Sequence, residues 1–298
     1  MLFPGGSSFR KRYFIPEIMK KLKLFLLSDN TAKPPFLAEH GLSLALETST
    51  GARILLDTGN GETFFPNLQA WKLALASFQS LVLSHGHYDH TGALAELLVR
   101  APHLQLYHVK GVEKKRFSCH AGQVEKDISM PEACRKILEK HPYRKEILSP
   151  WDMGNGFFLT GRIPRVTQED TGGPFFTDKE KKNPDLIMDE TALLWEGGVL
   201  LQGCFHAGIG NTLSCCREKF PSIVIHTVAG GLHLKDADTP RLERTLFHLK
   251  EMKIKRLILF HCTGQKAMEY LKKNLPAAEI LTPGAGESFS ITDTGERC

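Results

Sequence analysis

An α/β fold of alternating strands and helices is what this chain predicts, and three observations predict it. Short apolar runs of strand length recur along the chain, bounded by Gly, Pro, Asn or Asp. Stretches of helical periodicity separate many of them. The runs also end in polar, metal-capable clusters: Asp57, then His85 to His90, then Cys204 to His206, then His233, then His261. Open α/β sheets bind ligands beyond the carboxyl ends of their strands, so these five ends are expected to share one site.

The elements follow in order. Residues 1–20, with an early Pro-Gly-Gly and then Arg10, Lys11 and Arg12, read as a loose basic leader, and 21–298 as one domain. The apolar run at 22–27 stops at Ser28-Asp29-Asn30. Residues 42–47 alternate as a half-buried strand does. A short buried strand at 53–56 ends at Asp57-Thr58-Gly59. A helix is predicted over 68–76, a buried strand over 80–83, and a helix over 91–99. The stretch from about 100 to 185 is rich in Lys, Pro and Gly and carries Gly154-Asn155-Gly156 and Thr171-Gly172-Gly173-Pro174. It is expected to be an irregular insertion, made of strands plus a long excursion near a pocket, with no core of its own. Beyond it, 191–195 and 198–201 predict a hairpin. Helices are predicted over 211–219, 239–252 and 265–274. Strands at 222–228 and 256–260 lead into Gly230-Gly231-Leu232-His233 and His261-Cys262-Thr263-Gly264.

Composition bounds the function. At 298 residues, 42% hydrophobic and 24% charged, the chain is neither disordered, collagen-like nor disulfide-dense. No apolar run reaches the roughly 18–20 residues of a membrane span, and the opening has no apolar core for a signal peptide. A cytoplasmic location without a membrane partner is therefore expected. The net charge of +5 accompanies no nucleic-acid-binding motif and suits an anionic small molecule better than a nucleic acid. Seven cysteines, none in C-x-x-C spacing, suggest free thiols in a reducing compartment.

The strongest signal is His85-Gly86-His87-Tyr88-Asp89-His90, an H-x-H-x-D-H pattern. His85 and His87 alternate along an extended segment, so both rings can face one side. Asp89 and His90 follow where the chain turns into a helix, and address a second position close by. Imidazole nitrogen and carboxylate oxygen suit zinc, iron or manganese. Two metals about 3.5–4 Å apart can activate water and clamp a substrate oxygen.

This motif, preceded by Leu55-Leu56-Asp57-Thr58-Gly59, resembles the metallo-β-lactamase superfamily. Ala38-Glu39-His40-Gly41-Leu42-Ser43, Gly203-Cys204-Phe205-His206-Ala207-Gly208, Gly230 to Leu234 and His261 to Gly264 resemble one branch of it. That branch is labelled 7,8-dihydropterin-6-methyl-4-(β-D-ribofuranosyl)aminobenzene 5′-phosphate synthase-like, and the resemblance runs from about residue 22 to 285. It implies a four-layer αββα sandwich with a one- or two-metal centre at its edge. It implies that His85 and His87 hold a first ion, that Asp89, His90 and His261 hold a second, and that Asp57 orients ligands from behind.

The pattern departs from the superfamily at two positions. The third histidine of the first ion has no usual motif, and His103, His108, His120 and His141 are its candidates. The bridging aspartate is replaced by Gly203-Cys204-Phe205-His206, where His206 is favoured as the ligand and Cys204 as a buried neighbour. His233 is a candidate acid–base or substrate-binding group. Glu39 and His40, in a loop after Pro34-Pro35, are candidate functional residues, with His40 taken as substrate-binding, and His108 with Lys114, Lys115 and Arg116 behind it is a candidate for contact with an anionic substrate. The carboxylates of Asp189-Glu190 are expected to be solvated, and His226 and His248 structural. The reading that results is a hydrolase with two divalent ions, zinc before manganese or iron. Its rivals are a synthase acting on a pterin or phosphoribosyl precursor and a non-catalytic metal-binding module. A homo-oligomer is compatible with it.

Overall fold

The structure, a computed structural model, describes residues 19–295 except 121, 123, 168, 170 and 171. Most of the expected basic leader, Thr171 of the glycine turn, and Cys298 lie outside the described residues.

Two seven-stranded sheets face each other. The first contains β1 (Lys21–Ser28), β2 (Ser43–Thr48), β3 (Arg53–Leu56), β4 (Ser80–Val82), β5 (Gln105–His108), β8 (Arg144–Glu146) and β17 (Ser288–Thr292). Their order is β17-β1-β2-β3-β4-β5-β8, parallel from β3 onward. The second contains β9 (Trp151–Gly154), β10 (Phe157–Leu159), β12 (Leu193–Trp195), β13 (Val199–Gln202), β14 (Thr227–Gly230), β15 (Arg256–Leu259) and β16 (Glu279–Leu281). It runs β16-β15-β14-β13-β12-β10-β9, with β13 to β16 parallel. A small third sheet joins β6 (Phe117–Ser118), β7 (Lys126–Asp127) and β11 (Phe175–Phe176).

Side-chain alternation along the strands builds the layers. In β1, Leu22, Leu24 and Leu26 enter the core between the sheets, with Phe157, Leu201 and Ile258 from the other side. Phe25 and Leu27 point the opposite way, into a second core closed by α1 (Phe64–Ala70), α3 (Leu94–Arg100) and α4 (Glu132–Lys140). Leu200, Val228 and Leu257 point outward from the second sheet onto α5 (Ile209–Lys219), α6 (Thr239–Glu251) and α7 (Gln265–Asn274). The three apolar layers between helices, sheet, sheet and helices make a four-layer αββα sandwich. Among the described residues no helix is long and apolar enough to cross a membrane.

Four expectations need correction. The helix expected over 68–76 spans Phe64–Ala70, followed by a 3-10 turn at Leu75–Ser77. Pro66 sits in the first turn of that helix, where proline is tolerated because its missing N–H has no partner to lose. The helix expected over 91–99 is two, α2 (Tyr88–Thr91) and α3, so Asp89 and His90 lie within the first of them. The strand expected over 222–228 begins only at Thr227. The stretch from 100 to 185 does contain strands, but it is not an insertion beside the sandwich: it supplies β5 and β8 to the first sheet and β9 and β10 to the second, and it also forms α4. Only β6, β7 and β11 stand apart, on a small cluster of Ile128, Phe175 and Ile187. Strands of two to four residues are too short to show a period.

Candidate metal centre

The parallel strands of both sheets end at one edge of the sandwich. Just beyond β3, β13, β14 and β15, four non-glycine residues adopt left-handed backbone: Asp57 (φ 59°), Phe205 (47°), His233 (47°) and His261 (53°). Each such residue costs on the order of 1–3 kcal/mol, persists only where its surroundings fix it, and is concentrated at functional sites.

An inner group forms from three histidines. His85 Nε2 and His87 Nδ1 stand 3.0 Å apart. The His206 ring lies 4.8 Å from that of His85 and 4.9 Å from that of His87, centroid to centroid. One ligand atom from each of the three can lie within 4.8 Å of the others. Burial first, and neighbouring histidines second, hold His85 and His87 well below the ordinary imidazole value. The rings are therefore neutral and offer lone pairs. Phe175 of β11 closes over them, 5.3 Å from His87 and 5.4 Å from His206.

An outer group contains Asp89, His261 and His40. Asp89 Oδ2 lies 3.4 Å from His261 Nε2 and 3.2 Å from His40 Nε2. Burial would raise the Asp89 carboxyl, but hydrogen bonds from His261 and His40 hold it well below its ordinary value. Burial opposes charge on His261 too, yet Asp89 lifts it to about 9. Between the two groups lies Cys204, its Sγ 3.2 Å from His90 Nε2, with burial pushing the thiol up.

Carboxylates behind the centre fix these positions. Asp57 Oδ2 lies 2.7 Å from His90 Nδ1 and accepts from Ser84 Oγ at 2.6 Å, while its Oδ1 accepts from the Ser84 amide at 2.7 Å. Ser84 Oγ in turn meets His85 Nδ1 at 2.9 Å. One carboxylate thus sets the ring direction of His90 directly and of His85 through a serine. Gly203 makes room for this: a Cβ there would sit 2.2 Å from Ser84 Oγ and 2.9 Å from Asp57 Oδ2.

A second support crosses between the sheets. Glu190 accepts from the amides of His206 and Ala207 at 2.6 and 2.5 Å. Asp189 accepts from the Gly86 amide at 2.9 Å and pairs with Arg116, which also meets Asp185. The Thr191 amide donates to the Ser84 carbonyl at 2.9 Å. Residues 189–191 therefore tie the His85–His87 loop to the Cys204–His206 loop. Burial, partly offset by Arg165, raises Glu190 to about 7.

The sequence reading is corrected here in several places. His206 stands with His85 and His87, in the place sought among His103, His108, His120 and His141, and Cys204 takes the position between the groups. The two are separated by Phe205, whose left-handed turn sends them in different directions. Asp189 and Glu190 are buried, at 2% and 1% exposure, not solvated. His108 is buried at the end of β5, Nδ1 against the Val109 carbonyl, and does not line the cleft over the centre. Arg116 is locked in its ion pairs, Lys115 pairs with Asp127, Lys114 lines a separate pocket, and none of the three lines the cleft. Glu39 accepts the amides of Asn60, Glu62 and Thr63 and shapes that loop. His226 bonds the Gly197 carbonyl.

The cleft holds about 510 Å³ and is lined by His40, His87, Asp89, His233, His261 and Cys262 among others. Its cations are Lys126 and Lys235, which sequence spacing did not single out. A larger depression of about 770 Å³ beside α1 and α3 includes none of the centre's residues. The centre fits divalent transition metals: neutral, buried imidazoles converge with a carboxylate held ionised.

An αββα sandwich with such an edge defines a metallo-β-lactamase-type protein. The family model described as the metallo-beta-lactamase superfamily matches residues 38–187, and the chain belongs to that superfamily. Its relatives include the 7,8-dihydropterin-6-methyl-4-(beta-D-ribofuranosyl)-aminobenzene-5'-phosphate synthase of Methanocaldococcus jannaschii, 29% identical over 87% of this chain and 96% of that protein. Among solved structures, Tm1679, described as a metal-dependent hydrolase of the beta-lactamase superfamily, superposes with a TM-score of 0.77 at 23% identity, covering 91% of this chain and 99% of that one. Zinc-bound PqqB from Methylobacterium extorquens follows at 0.51 and 12%, covering 89% and 99%.

Proposed function

We propose that this chain is a metal-dependent hydrolase acting on a phosphorylated or otherwise anionic small molecule at a centre of two divalent ions. The observation that carries the reading is the convergence of two ligand groups, His85–His87–His206 buried and Asp89–His261–His40 opening onto the cleft. His85, His87 and His206 would hold one ion, and Asp89, His90 and His261 the other, with zinc preferred and manganese or iron as alternatives. Such ions, when bound, supply Lewis acidity toward a substrate oxygen and toward water.

The chain's own groups do the rest. Asp57 keeps His90 Nδ1 engaged, so that Nε2 is the nitrogen directed at the centre. Asp89, held ionised, accepts a hydrogen bond from an attacking water and orients it. His233, 4.5 Å from His206 between ring centroids and lining the cleft, is placed to protonate a leaving group and to touch substrate. His40, with its side chain 58% exposed, meets the substrate at the mouth. Lys126 and Lys235 supply positive charge for its anionic group. The substrate is the only partner proposed, without nucleic acid or membrane.

The name of the methanococcal relative favours a second reading, in which the same centre serves a synthase acting on a pterin or phosphoribosyl precursor. Product analysis in isotope-labelled water separates the two. Metal-loaded protein given phosphodiesters, lactones and thioesters should incorporate label into product. A joined product without label supports the synthase. Full metal loading with no turnover of either kind overturns both and leaves a metal-binding module.

A further inference from the structure

Cys262 has no part in the reading above, yet its thiol reaches the centre. Its Sγ lies 3.2 Å from that of Cys204, and neither thiol is in a disulfide. A disulfide would need about 2.05 Å. Cys204, His261 and Cys262 can bring one ligand atom each within 4.8 Å of the others. Cys204 also belongs to the group with His85 and His90 and to the group with His206 and His233, so it stands at the junction of the whole centre.

The fold delivers both sulfurs deliberately. Cys204 follows β13 and Cys262 follows β15, with β14 between them. Beyond β14, Gly231 leaves the gap open: a Cβ there would sit 2.5 Å from Cys262 Sγ. Other cysteines show what a merely packed thiol looks like. Cys215 and Cys216 lie on α5 within an apolar core of leucine and isoleucine, as small hydrophobes do. Cys204 and Cys262 lie among histidines instead.

We propose that Cys204 and Cys262 are thiolate ligands of the second ion, the one also faced by His90 and His261. The position is then sulfur-rich and selects thiophilic ions such as zinc, cadmium or cobalt over magnesium, manganese or calcium. Each thiol releases its proton to solvent as its sulfur–metal bond forms. The inference rests on the two-ion reading of the centre and adds to it a class of metal.

Cobalt titration of the metal-free protein under reducing conditions tests it. Two ions should bind, the filling of one position bringing an intense near-ultraviolet sulfur-to-cobalt charge-transfer band. Cys262→Ser should cut that band to about half and weaken the sulfur-bearing position by at least about 10-fold, as even the loss of an outer partner does. The imidazole position should keep its affinity. A second readout needs no variant: bound zinc should shield Cys262, which lines the cleft, from alkylation mapped by mass spectrometry. Full loading with no charge-transfer band and unchanged alkylation overturns the thiolate inference while the two-ion reading stands. Failure to bind metal at all overturns both.

Discussion

The inner and outer groups of the centre lie at one sheet edge and are held in opposite ways. His85, His87 and His206 are 0%, 5% and 0% exposed, and burial keeps His85 and His87 neutral. Packing sets them: Phe175 lies against His87 and His206, and the 189–191 segment ties their loops together. Asp89, His261 and His40 face the cleft, and Asp89 and His261 charge each other. A low-dielectric site suppresses charge unless an opposite charge is adjacent; here the same edge shows both outcomes. The inner group should therefore fail when its geometry is disturbed, and the outer group when pH is changed.

The largest effect is expected from His87→Ala. Removing an outer partner of a metal ligand costs about 10–100-fold in affinity or activity, and removing a ligand costs more. Metal bound per chain should fall and turnover should disappear. Unchanged metal content in this variant would remove His87 from the centre and end the comparison.

The pH response comes next. In the metal-free protein His261 has its value lifted from 6.5 to about 9. The folded state then holds a proton that the unfolded chain gives up, so the contribution is complete below about pH 6.5 and lost as pH rises through about 9. Asp89 is depressed, so its contribution is present above about pH 4 and lost only in stronger acid. Wild type should lose about 3 kcal/mol more stability between pH 6 and 9.5 than His261→Gln does, at about 1.4 kcal/mol per unit. Urea unfolding of the metal-free proteins measures this, and equal losses refute it. His85 and His87, already neutral across this range, should show no matching change.

Glu190→Gln disturbs the inner group without touching a ring. Its amide has one acceptor oxygen where the carboxylate offers two to His206 and Ala207. Affinity for an ion at the imidazole position should fall about 10–100-fold, with the sulfur-bearing position unchanged. Calorimetric zinc titration of the variant separates the two. A uniform loss at both positions would mean that Glu190 supports the edge as a whole.

What was legible in the sequence divides along the same line. His85, His87, Asp89 and His90 sit within six residues, and such spacing fixes which side chains can face together whatever the fold. Strands β1, β2, β3, β4, β13 and β15 of the main sheets were legible from their apolar runs, whereas β5, β8, β9 and β10 were not placed. The placement of His206 and Cys204 depended on the backbone sign of Phe205, which composition does not encode. Asp189 and Glu190 looked solvated because adjacent carboxylates usually are. Their partners, Arg116 and the amides of Gly86, His206 and Ala207, lie 16 to 103 residues away. Cys262 did carry a signal, a thiol directly after a ligand-type histidine. Lys126 and Lys235 carried none, because a lysine's place in a cleft is set by the loops that bring it there.

Those two lysines give the smallest effect and the sharpest test of where the substrate's charge lies. Lys126 Nζ is held 2.5 Å from Tyr88 Oη and 4.3 Å from the ring centroid, so it is prepositioned, whereas Lys235 is exposed in the loop before α6. Exposed charges contribute up to about 1 kcal/mol in water. Lys126→Ala should therefore raise KM about 3- to 5-fold and Lys235→Ala less, with kcat unchanged because neither reaches the reacting atoms. Added salt should raise the wild-type KM through screening and should do so less in the double variant. Lys114 belongs to the basic run that the sequence pointed to, but it lines a separate small pocket with Arg116 and Arg162. Lys114→Ala should leave KM and its salt dependence alone. If Lys114 changes KM and Lys126 does not, the anion approaches from the far side of Arg116, and the open cleft is not its route to the centre.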